Sequence, residues 1–219
     1  MRRRPEQTSG AYAKAGLRQR VFAWALARNH RYERFAAPYK QRLFAGLSGT
    51  VLELGPGTGA NLRYLDSAKV RWIGVDPNPF MQSYLLDEAA RLGITADLRT
   101  GTAYQLPVED ESCDTVISTL VLCCIDEPQR ALHEVLRILK PGGRLIFIEH
   151  VAAPTGSRLR RIQDWIVPLW RQLGDGCHPN RETGDELRRA GFSSVEYEEI
   201  TAPLPVVSPQ IVGIARKAG

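Results

Sequence analysis

The stretch ELGPGTGA, residues 53–60, decides the fold, because its three glycines recur at every second position. It completes a short apolar run, TVLEL (50–54), of the kind that forms a buried strand. A glycine-rich turn after a strand brings backbone N–H groups and the positive end of the next helix close to an anionic ligand. The stretch therefore predicts a strand, a tight turn and a ligand-binding edge.

Strand and helix patterns alternate from this stretch to the C-terminus. Five strands are predicted at TVLEL (50–54), VRWIGV (70–75), TADLRTG (95–101), DTVISTL (114–120) and RLIFIEH (144–150). Two further strands, SSVEYEEI (193–200) and PQIVGIARK (209–217), have no helix between them and are expected to be antiparallel. The sequence thus predicts an α/β fold, with a Rossmann-like, seven-stranded, mostly parallel sheet, helices on both faces and an antiparallel C-terminal strand pair.

The helical patterns have definable ends. Met81, Leu85, Ala89 and Leu92 line one helix face, and Leu132, Val135, Leu136 and Leu139 line another that is expected to stop at Pro141. A later helix, SRLRRIQDWIVPLWRQL (157–173), is expected to kink or break at Pro168. A short helix is predicted in RETGDELRRAGF (181–192).

Positive charge is concentrated at the N-terminus. Residues 1–42 contain eleven Arg or Lys and two Glu, a net charge of +9, so the rest carries −4 of the total +5. Leu17, Val21 and Trp24 recur there at helical spacing, which describes either a helix on an anionic membrane or, as we favour, a cap helix with a solvated basic face. We therefore divide the chain into a basic helical cap at 1–48 and a ligand-binding domain at 49–219. No nucleic-acid-binding motif accompanies the charge, so no nucleic-acid partner is expected.

Cysteine usage and hydropathy exclude several classes. The four cysteines are irregularly spaced, which argues against a disulfide framework or a CxxC metal site, and Cys123 and Cys124 are expected to be packing residues. No apolar run approaches the roughly 20 residues that span a bilayer, and the start MRRRPEQTSG lacks the apolar core of a signal peptide. We expect a soluble, cytoplasmic protein without a bound metal.

The glycines alone leave two ligands open. Gly55, Gly57 and Ala60 also satisfy the dinucleotide-binding fingerprint, and Asp76 would bind ribose hydroxyls in either case. Glu53, however, gives the form E-x-G-x-G-x-G, which resembles the first motif of S-adenosylmethionine (SAM) dependent methyltransferases. LPVEDESCDTVISTLVL (106–122) and LKPGGRLIFIE (139–149) resemble later motifs of that superfamily. Most nicotinamide dehydrogenases also need a second catalytic domain, so these features favour a methyltransferase.

A closer resemblance covers about residues 44–217. LELGPGTGANLRYL (52–65), GVDPNPF (74–80), STLVLCC (118–124), LRILKPGGRLIFIEHVAAP (136–154) and DGCHPNRET (175–183) together resemble the thiol S-methyltransferase, or methyltransferase-like seven, family. That family usually has cysteine where this chain has Pro56. Its animal members carry an apolar, membrane-anchoring N-terminus that this sequence does not show, so membrane residence is not carried over.

The resemblance implies a set of cofactor-binding residues. The backbone of Gly55, Pro56, Gly57, Thr58 and Gly59 holds the methionyl part of SAM, Glu53 braces the turn, and Thr58 and Asn61 add side-chain hydrogen bonds. Asp76 accepts hydrogen bonds from the ribose diol, and Pro77 and Met81 flank the adenine. Gly101, Thr102 and Ala103 lie where the superfamily often binds the adenine amino group with an acidic residue. Thr119 and Leu120 face the methyl end, and Tyr32 closes over the cofactor.

The acceptor end is predicted after strand five. Methyl transfer is an in-line displacement, so the protein chiefly aligns the acceptor and excludes water. His150 follows the strand directly and is the first candidate for the base, and Asp175 lies in a second polar cluster with Cys177 and His178. A zinc site from Cys177, His178 and His150 is disfavoured, because adjacent ligands suit tetrahedral binding poorly. Trp165 and Trp170 belong either to an apolar acceptor pocket or to the core.

Three functions stay open at this point. The favoured one is methyl transfer from SAM to a small, fairly apolar thiol or to sulfide. The enzymatic alternative is O- or C-methylation of a quinone-like or other small metabolite. The third is a non-catalytic SAM-binding module that docks a partner or a membrane through its basic N-terminus.

Overall fold

A computed structural model describes residues 16–219 and contains one seven-stranded sheet. The strands are β1 (Gly49–Leu54), β2 (Val70–Val75), β3 (Asp97–Arg99), β4 (Cys113–Thr119), β5 (Leu139–His150), β6 (Ser194–Thr201) and β7 (Pro209–Arg216). They lie in the order β3-β2-β1-β4-β5-β7-β6. The first five are parallel, and β7 runs antiparallel to both β5 and β6. The predicted fold class is therefore confirmed.

The strand order reverses between β1 and β4. Chain order runs outward from β1 through β2 to β3 on one side and from β4 to β5 on the other. In open α/β sheets, ligands bind outside the carboxyl ends of the strands at such a reversal. The turn after β1 and the segments after β2, β4 and β5 therefore form one edge.

Within residues 16–219, six α-helices cover the sheet. They are α1 (Gly16–Ala27), α2 (His30–Phe44), α3 (Gln82–Leu92), α4 (Pro128–Ile138), α5 (Arg158–Leu173) and α6 (Thr183–Arg189). Two short 3₁₀ turns follow β1 and β4, at Leu62–Tyr64 and Leu122–Cys124. The cap segment predicted at 1–48 thus contains α1 and α2, while residues 1–15 lie outside the described part.

The core lies on both faces of the sheet because successive strand side chains point in opposite directions. On β1, Leu52 and Leu54 join the cluster that α4 covers with Leu132, whereas Val51 joins a second cluster with Phe44 of α2. All five side chains are buried. This arrangement leaves Glu53, on the same face as Val51, as a charge among apolar neighbours.

Two element boundaries differ from the prediction. The α4 helix ends at Ile138, and Leu139 is already extended, with φ −69° and ψ 134°, so β5 begins there and includes Pro141. The α5 helix runs through Pro168 without ending there. Proline removes only one helical donor. The α5 helix is also held by the buried side chain of Gln163, which accepts a hydrogen bond from Ala153 N at 2.7 Å and donates one to Val206 O at 2.9 Å.

None of the helices within residues 16–219 combines the length and the apolar character needed to cross a bilayer.

Candidate active site

Glu53, the penultimate residue of β1, is a buried carboxylate that links three elements. Its Oε1 accepts a hydrogen bond from Asn61 Nδ2 at 2.8 Å, and its Oε2 accepts one from Trp72 Nε1 of β2 at 2.9 Å. Asn61 Nδ2 also donates to Thr119 Oγ1 at the end of β4, at 3.1 Å. Burial raises the pKa of Glu53, and the two donated hydrogen bonds oppose that rise. The carboxylate thereby fixes the glycine turn against its neighbouring strands.

The glycine turn needs glycine at each of its three positions. Gly55, Gly57 and Gly59 have φ values of +51°, +55° and +80°, the left-handed region that side chains with a Cβ avoid. A Cβ on Gly55 would also lie 2.8 Å from Val121 Cγ2. Leu26 of α1 lies over the middle of the turn, with its Cδ2 3.5 Å from the Cβ position of Gly57. The cap helix therefore covers the turn, a contact that the sequence did not reveal.

Asp76 follows β2 and contacts the turn directly. Its Oδ2 accepts a hydrogen bond from Gly57 N at 3.0 Å, and its Oδ1 accepts one from Asn78 N at 2.7 Å. Burial raises the pKa of Asp76, and the nearby charge of Asp175 adds to the rise. Asn78 Nδ2 in turn donates to Asp175 Oδ2 at 3.4 Å. Asp175, predicted as a base, thus lies on the Asp76 side of the edge.

The residues predicted around the adenine lie on the loops after β2 and β3. Pro77 and Thr102 are exposed, Ala103 is half-buried against the main core, and Met81 is buried at the start of α3. A Cβ on Gly101 would lie 2.9 Å from Pro107 Cδ, so the chain after β3 passes close to the following loop.

Glu149, which the sequence prediction missed, organises the turn after β4. Its Oε1 accepts hydrogen bonds from Ser118 Oγ at 2.7 Å and from the backbone N–H groups of Val121 and Leu122, each at 3.1 Å. Its Oε2 accepts one from Cys123 N at 3.3 Å. Burial raises the pKa of Glu149, and the hydrogen bonds from these donors oppose that rise. A carboxylate inside the apolar run RLIFIEH was the available signal, since a buried charge needs partners.

Tyr32 joins α2 to the same turn. It is buried, its Oη lies 3.0 Å from Gln210 Oε1 of β7, and it packs in a cluster with Leu120 and Ala202. Burial raises the pKa of Tyr32 far above its usual range. Leu120 has φ +59°, which is strained for a leucine. Tyr32, predicted to close over the cofactor, and Leu120, predicted at the methyl end, are therefore in one cluster.

His150 ends β5 beside two cysteines. Its Nδ1 lies 3.5 Å from Cys177 Sγ and 3.6 Å from Cys123 Sγ, and its Nε2 is buried without a partner among residues 16–219. Hydrogen bonds from Cys123, Cys124 and His150 lower the pKa of Cys177 strongly. The pKa of Cys123 is raised by its sulfur neighbours and by burial. This end of the edge therefore brings cysteine sulfurs and an imidazole together.

His178 lies beside the cysteine turn, with its Nδ1 3.3 Å from Cys123 O, whereas Trp165 lies on the surface. His178 Nδ1 is 2.9 Å from Arg181 Nη2, and its ring borders a surface cavity of about 520 Å³. That cavity is lined by Arg160, His178, Asn180, Arg181, Glu182, Glu186 and Arg189, so it is distinct from the glycine turn. Trp165 is 83% exposed, so its assignment to the core is wrong. Trp170 is half-buried.

Comparisons with known proteins agree on a methyltransferase. Residues 52–147 match the family model described as a methyltransferase domain. Thiol S-methyltransferase TMT1B of Mus musculus is 44% identical over 181 residues, covering 78% of this chain and 73% of that protein. Thiol S-methyltransferase TMT1A of Homo sapiens is 39% identical over 181 residues, covering 80% and 74%. A solved SAM-dependent methyltransferase from Thermotoga maritima, 24% identical, superimposes with a TM-score of 0.66 over 91% of this chain and 98% of its own.

Proposed function

We propose that this chain, which belongs to the thiol S-methyltransferase family of SAM-dependent methyltransferases, methylates the sulfur of a small, fairly apolar thiol or of sulfide. The observation that carries the proposal is the 44% identity to a thiol S-methyltransferase over 181 residues. The alignment covers 78% of this chain. A histidine and a low-pKa cysteine at the end of the sheet edge support a sulfur acceptor.

The cofactor binds along the edge from β2 to β4 in this proposal. The N–H groups of the glycine turn meet the carboxylate of SAM, as helix-associated turns do for anions. Asp76 accepts hydrogen bonds from the ribose diol in place of its bond to Gly57 N. Met81, Pro77 and the Gly101–Ala103 segment surround the adenine. Thr58 is half-buried on the turn and free to reach the amino-acid end.

Asn61 is proposed to bind the amino-acid end through its side-chain oxygen. Both hydrogen-bonding contacts of its Nδ2 are internal, to Glu53 and Thr119. Its Oδ1 is buried without a partner within residues 16–219, which leaves one acceptor for the ammonium group of SAM. A buried, unpaired amide oxygen is costly, so a ligand donor at this position would stabilise the site.

The chemical step is a single displacement. The acceptor sulfur forms a bond to the methyl carbon while the bond from that carbon to the sulfonium breaks, giving a thioether and S-adenosylhomocysteine. The protein orients the two sulfurs and excludes water. Thr119 and Leu120 flank the methyl group, Tyr32 closes that side, and the unpaired Nε2 of His150 holds the acceptor. Asp175 lies on the cofactor side, where its carboxylate accepts a hydrogen bond from Asn78 and so holds its loop near Asp76.

The test is a panel of acceptors. Purified protein is incubated with SAM and with thiols, sulfide, phenols and quinols at equal concentration, and S-adenosylhomocysteine is measured. We expect turnover with thiols or sulfide. Turnover with phenols or quinols alone would replace this proposal by O- or C-methylation, and SAM binding without turnover on any acceptor would favour a non-catalytic module.

A peripheral membrane contact is a second part of the proposal. Exposed apolar side chains lie on α1, at Val21 and Trp24, and on α5, at Ile162, Trp165, Leu169 and Leu173. Arg20 and Arg28 on α1 and Arg158 and Arg161 on α5 are also exposed, which suits an anionic lipid surface. Sedimentation with vesicles containing anionic lipid tests this contact. Trp165→Ser should reduce binding, and equal binding of wild type and variant would contradict it.

We also propose a reducing compartment, the cytoplasm, as the location. All four cysteines are free, and three of them lie within contact distance without being bonded. Persistent disulfides form in oxidising compartments. Cell fractionation tests the location, and recovery of the protein with a Cys123–Cys177 disulfide from an oxidising compartment would contradict it.

A further inference from the structure

Three cysteine sulfurs converge at the acceptor end of the edge. Cys123 and Cys124 lie in the 3₁₀ turn after β4, and Cys177 lies in the loop after α5. Their Sγ atoms are all within 4.8 Å of one another. The cluster adjoins the proposed methyl position, because Cys124 Sγ is 3.7 Å from the carbonyl oxygen of Leu120.

The distances between the sulfurs match a metal site. Tetrahedral zinc, with Zn–S bonds of about 2.3 Å, separates two sulfur ligands by about 3.8 Å. Cys123 and Cys124 are adjacent in sequence, which was the objection to neighbouring ligands, but their Sγ atoms lie 3.7 Å apart, and those of Cys177 and Cys123 lie 3.8 Å apart, so the local geometry meets the tetrahedral separation. A disulfide needs about 2.05 Å, so these sulfurs are too far apart to be bonded.

The fold holds the cluster in place. Glu149 accepts hydrogen bonds from the backbone N–H groups of Leu122 and Cys123. These bonds fix the turn that carries two of the sulfurs. His178 N donates to Cys123 O at 2.9 Å and thereby ties the Cys177 loop to that turn. Gly176 allows this approach, because a Cβ there would lie 3.2 Å from Cys124 O. Two separate segments are thus held against each other where their sulfurs meet.

The surroundings favour a cation. The three converging sulfurs form a soft donor set, with all Sγ atoms within 4.8 Å of one another. The imidazole Nδ1 of His150 lies 3.6 Å from Cys123 Sγ and 3.5 Å from Cys177 Sγ, so it hydrogen-bonds two of the sulfurs and is not itself counted as a ligand. Cys124 is only half-buried, which leaves a side for entry. Thiolate ligands select zinc over hard cations such as magnesium or calcium.

We propose that Cys123, Cys124 and Cys177 bind one zinc ion and that its fourth coordination position takes the acceptor thiol. This inference rests on the proposed thiol methylation. A catalytic zinc site typically has three protein ligands and one open position. The acceptor thiol loses its S–H proton when it coordinates the ion, since a thiol that coordinates a metal is deprotonated. The proton passes to solvent.

Transfer from this site needs no other reactant. The zinc-bound sulfur forms a bond to the methyl carbon of SAM, and the bond from that carbon to the sulfonium breaks. The product thioether is a neutral, weaker ligand and leaves the ion. Zinc changes no oxidation state, so atoms, charge and electrons balance between the bound thiolate and S-adenosylhomocysteine.

The metal content is the first test. The full-length protein, purified without chelator, is analysed for zinc by mass spectrometry together with Cys123→Ser, Cys177→Ser and Cys113→Ser. Cys113 is also a buried cysteine, but its sulfur contacts Ser112 at the start of β4. We expect one zinc per chain in wild type and in Cys113→Ser, and loss of zinc in the other two variants. Less than 0.1 zinc per chain in wild type after growth with added zinc would overturn the proposal.

Cobalt distinguishes an open site from a closed one. Co²⁺ is exchanged into the wild-type protein, and the near-ultraviolet sulfur-to-cobalt absorption is recorded before and after addition of a thiol acceptor. We expect the band to appear and then to change on thiol addition but not on addition of a phenol. A band that does not respond to thiols would mean a closed, structural site and would overturn the assignment of the acceptor to the fourth position.

Activity of the metal-free protein separates this proposal from thiol methylation itself. A thiol with a pKa of about 8.5 is roughly 3% ionised at pH 7, so loss of zinc should lower the rate there about thirtyfold. Thermal unfolding of the same sample checks that the fold is retained. An unchanged rate without metal would overturn the zinc site and leave thiol methylation standing. No thiol methylation with or without zinc would overturn the proposed function, while the metal analysis would still decide the site.

Discussion

Replacing Glu149 by glutamine perturbs the turn that joins the cofactor and acceptor ends. The carboxylate accepts four hydrogen bonds, three on Oε1 and one on Oε2. A glutamine oxygen can replace Oε1, but its NH₂ group then faces the N–H of Cys123 and leaves that buried donor unpaired. One unpaired buried donor costs about 1–3 kcal/mol, and the bonds to Oε1 lose their charge assistance.

We therefore expect the Glu149→Gln substitution to lower the free energy of unfolding by about 2–4 kcal/mol, which most domains survive. Urea denaturation at constant pH measures the change. An unaltered dependence of the free energy of unfolding on urea concentration indicates that the fold is intact. Glu199→Gln, an exposed position on β6, is the matched control and should stay within about 0.5 kcal/mol of wild type. A loss below 0.5 kcal/mol at Glu149 would refute the four-bond account.

Three further predictions concern the cofactor and acceptor ends. Asp76→Ala should weaken S-adenosylhomocysteine binding roughly a hundredfold in calorimetry, because two hydrogen bonds to a charged group together contribute about 3 kcal/mol, and unchanged binding would remove Asp76 from the site. Since burial raises the pKa of Asp76, acidification should weaken that binding at a higher pH than titration of an exposed carboxylate would, and Asp76→Asn should abolish the step. His150→Ala should lower kcat for thiols about tenfold or more with little effect on S-adenosylhomocysteine binding, and a selective loss of cofactor binding would contradict its place at the acceptor end.

The sequence predicted what local patterns and the glycine motif determine. Alternating apolar runs were enough for the order of elements, and all seven strands overlap their predicted ranges. Glu53 and Asp76 were identified from their spacing around the glycines; Asp76 contacts Gly57 of the turn, and Glu53 contacts Asn61 just after it. The end of α4 was misplaced because Leu139 continues the helical apolar pattern although its backbone is extended.

Contacts between distant segments were not predictable. Tyr32 meets Gln210 across 178 positions, and Asn78 meets Asp175 across 97. No single-sequence pattern encodes such pairs, because packing of the whole chain decides them. The three cysteines illustrate the same limit, since adjacent Cys123 and Cys124 read as packing residues until the loop that carries Cys177 is placed against them.

Competition between acceptors tests thiol methylation most directly. One reaction contains the enzyme, SAM with an isotopically labelled methyl group, and equal concentrations of a thiol, a phenol and a quinol of similar size. Mass spectrometry then identifies the molecule that carries the label. The proposal predicts the labelled thioether as the dominant product, and a labelled aryl ether or ring-methylated quinol in its place would contradict it.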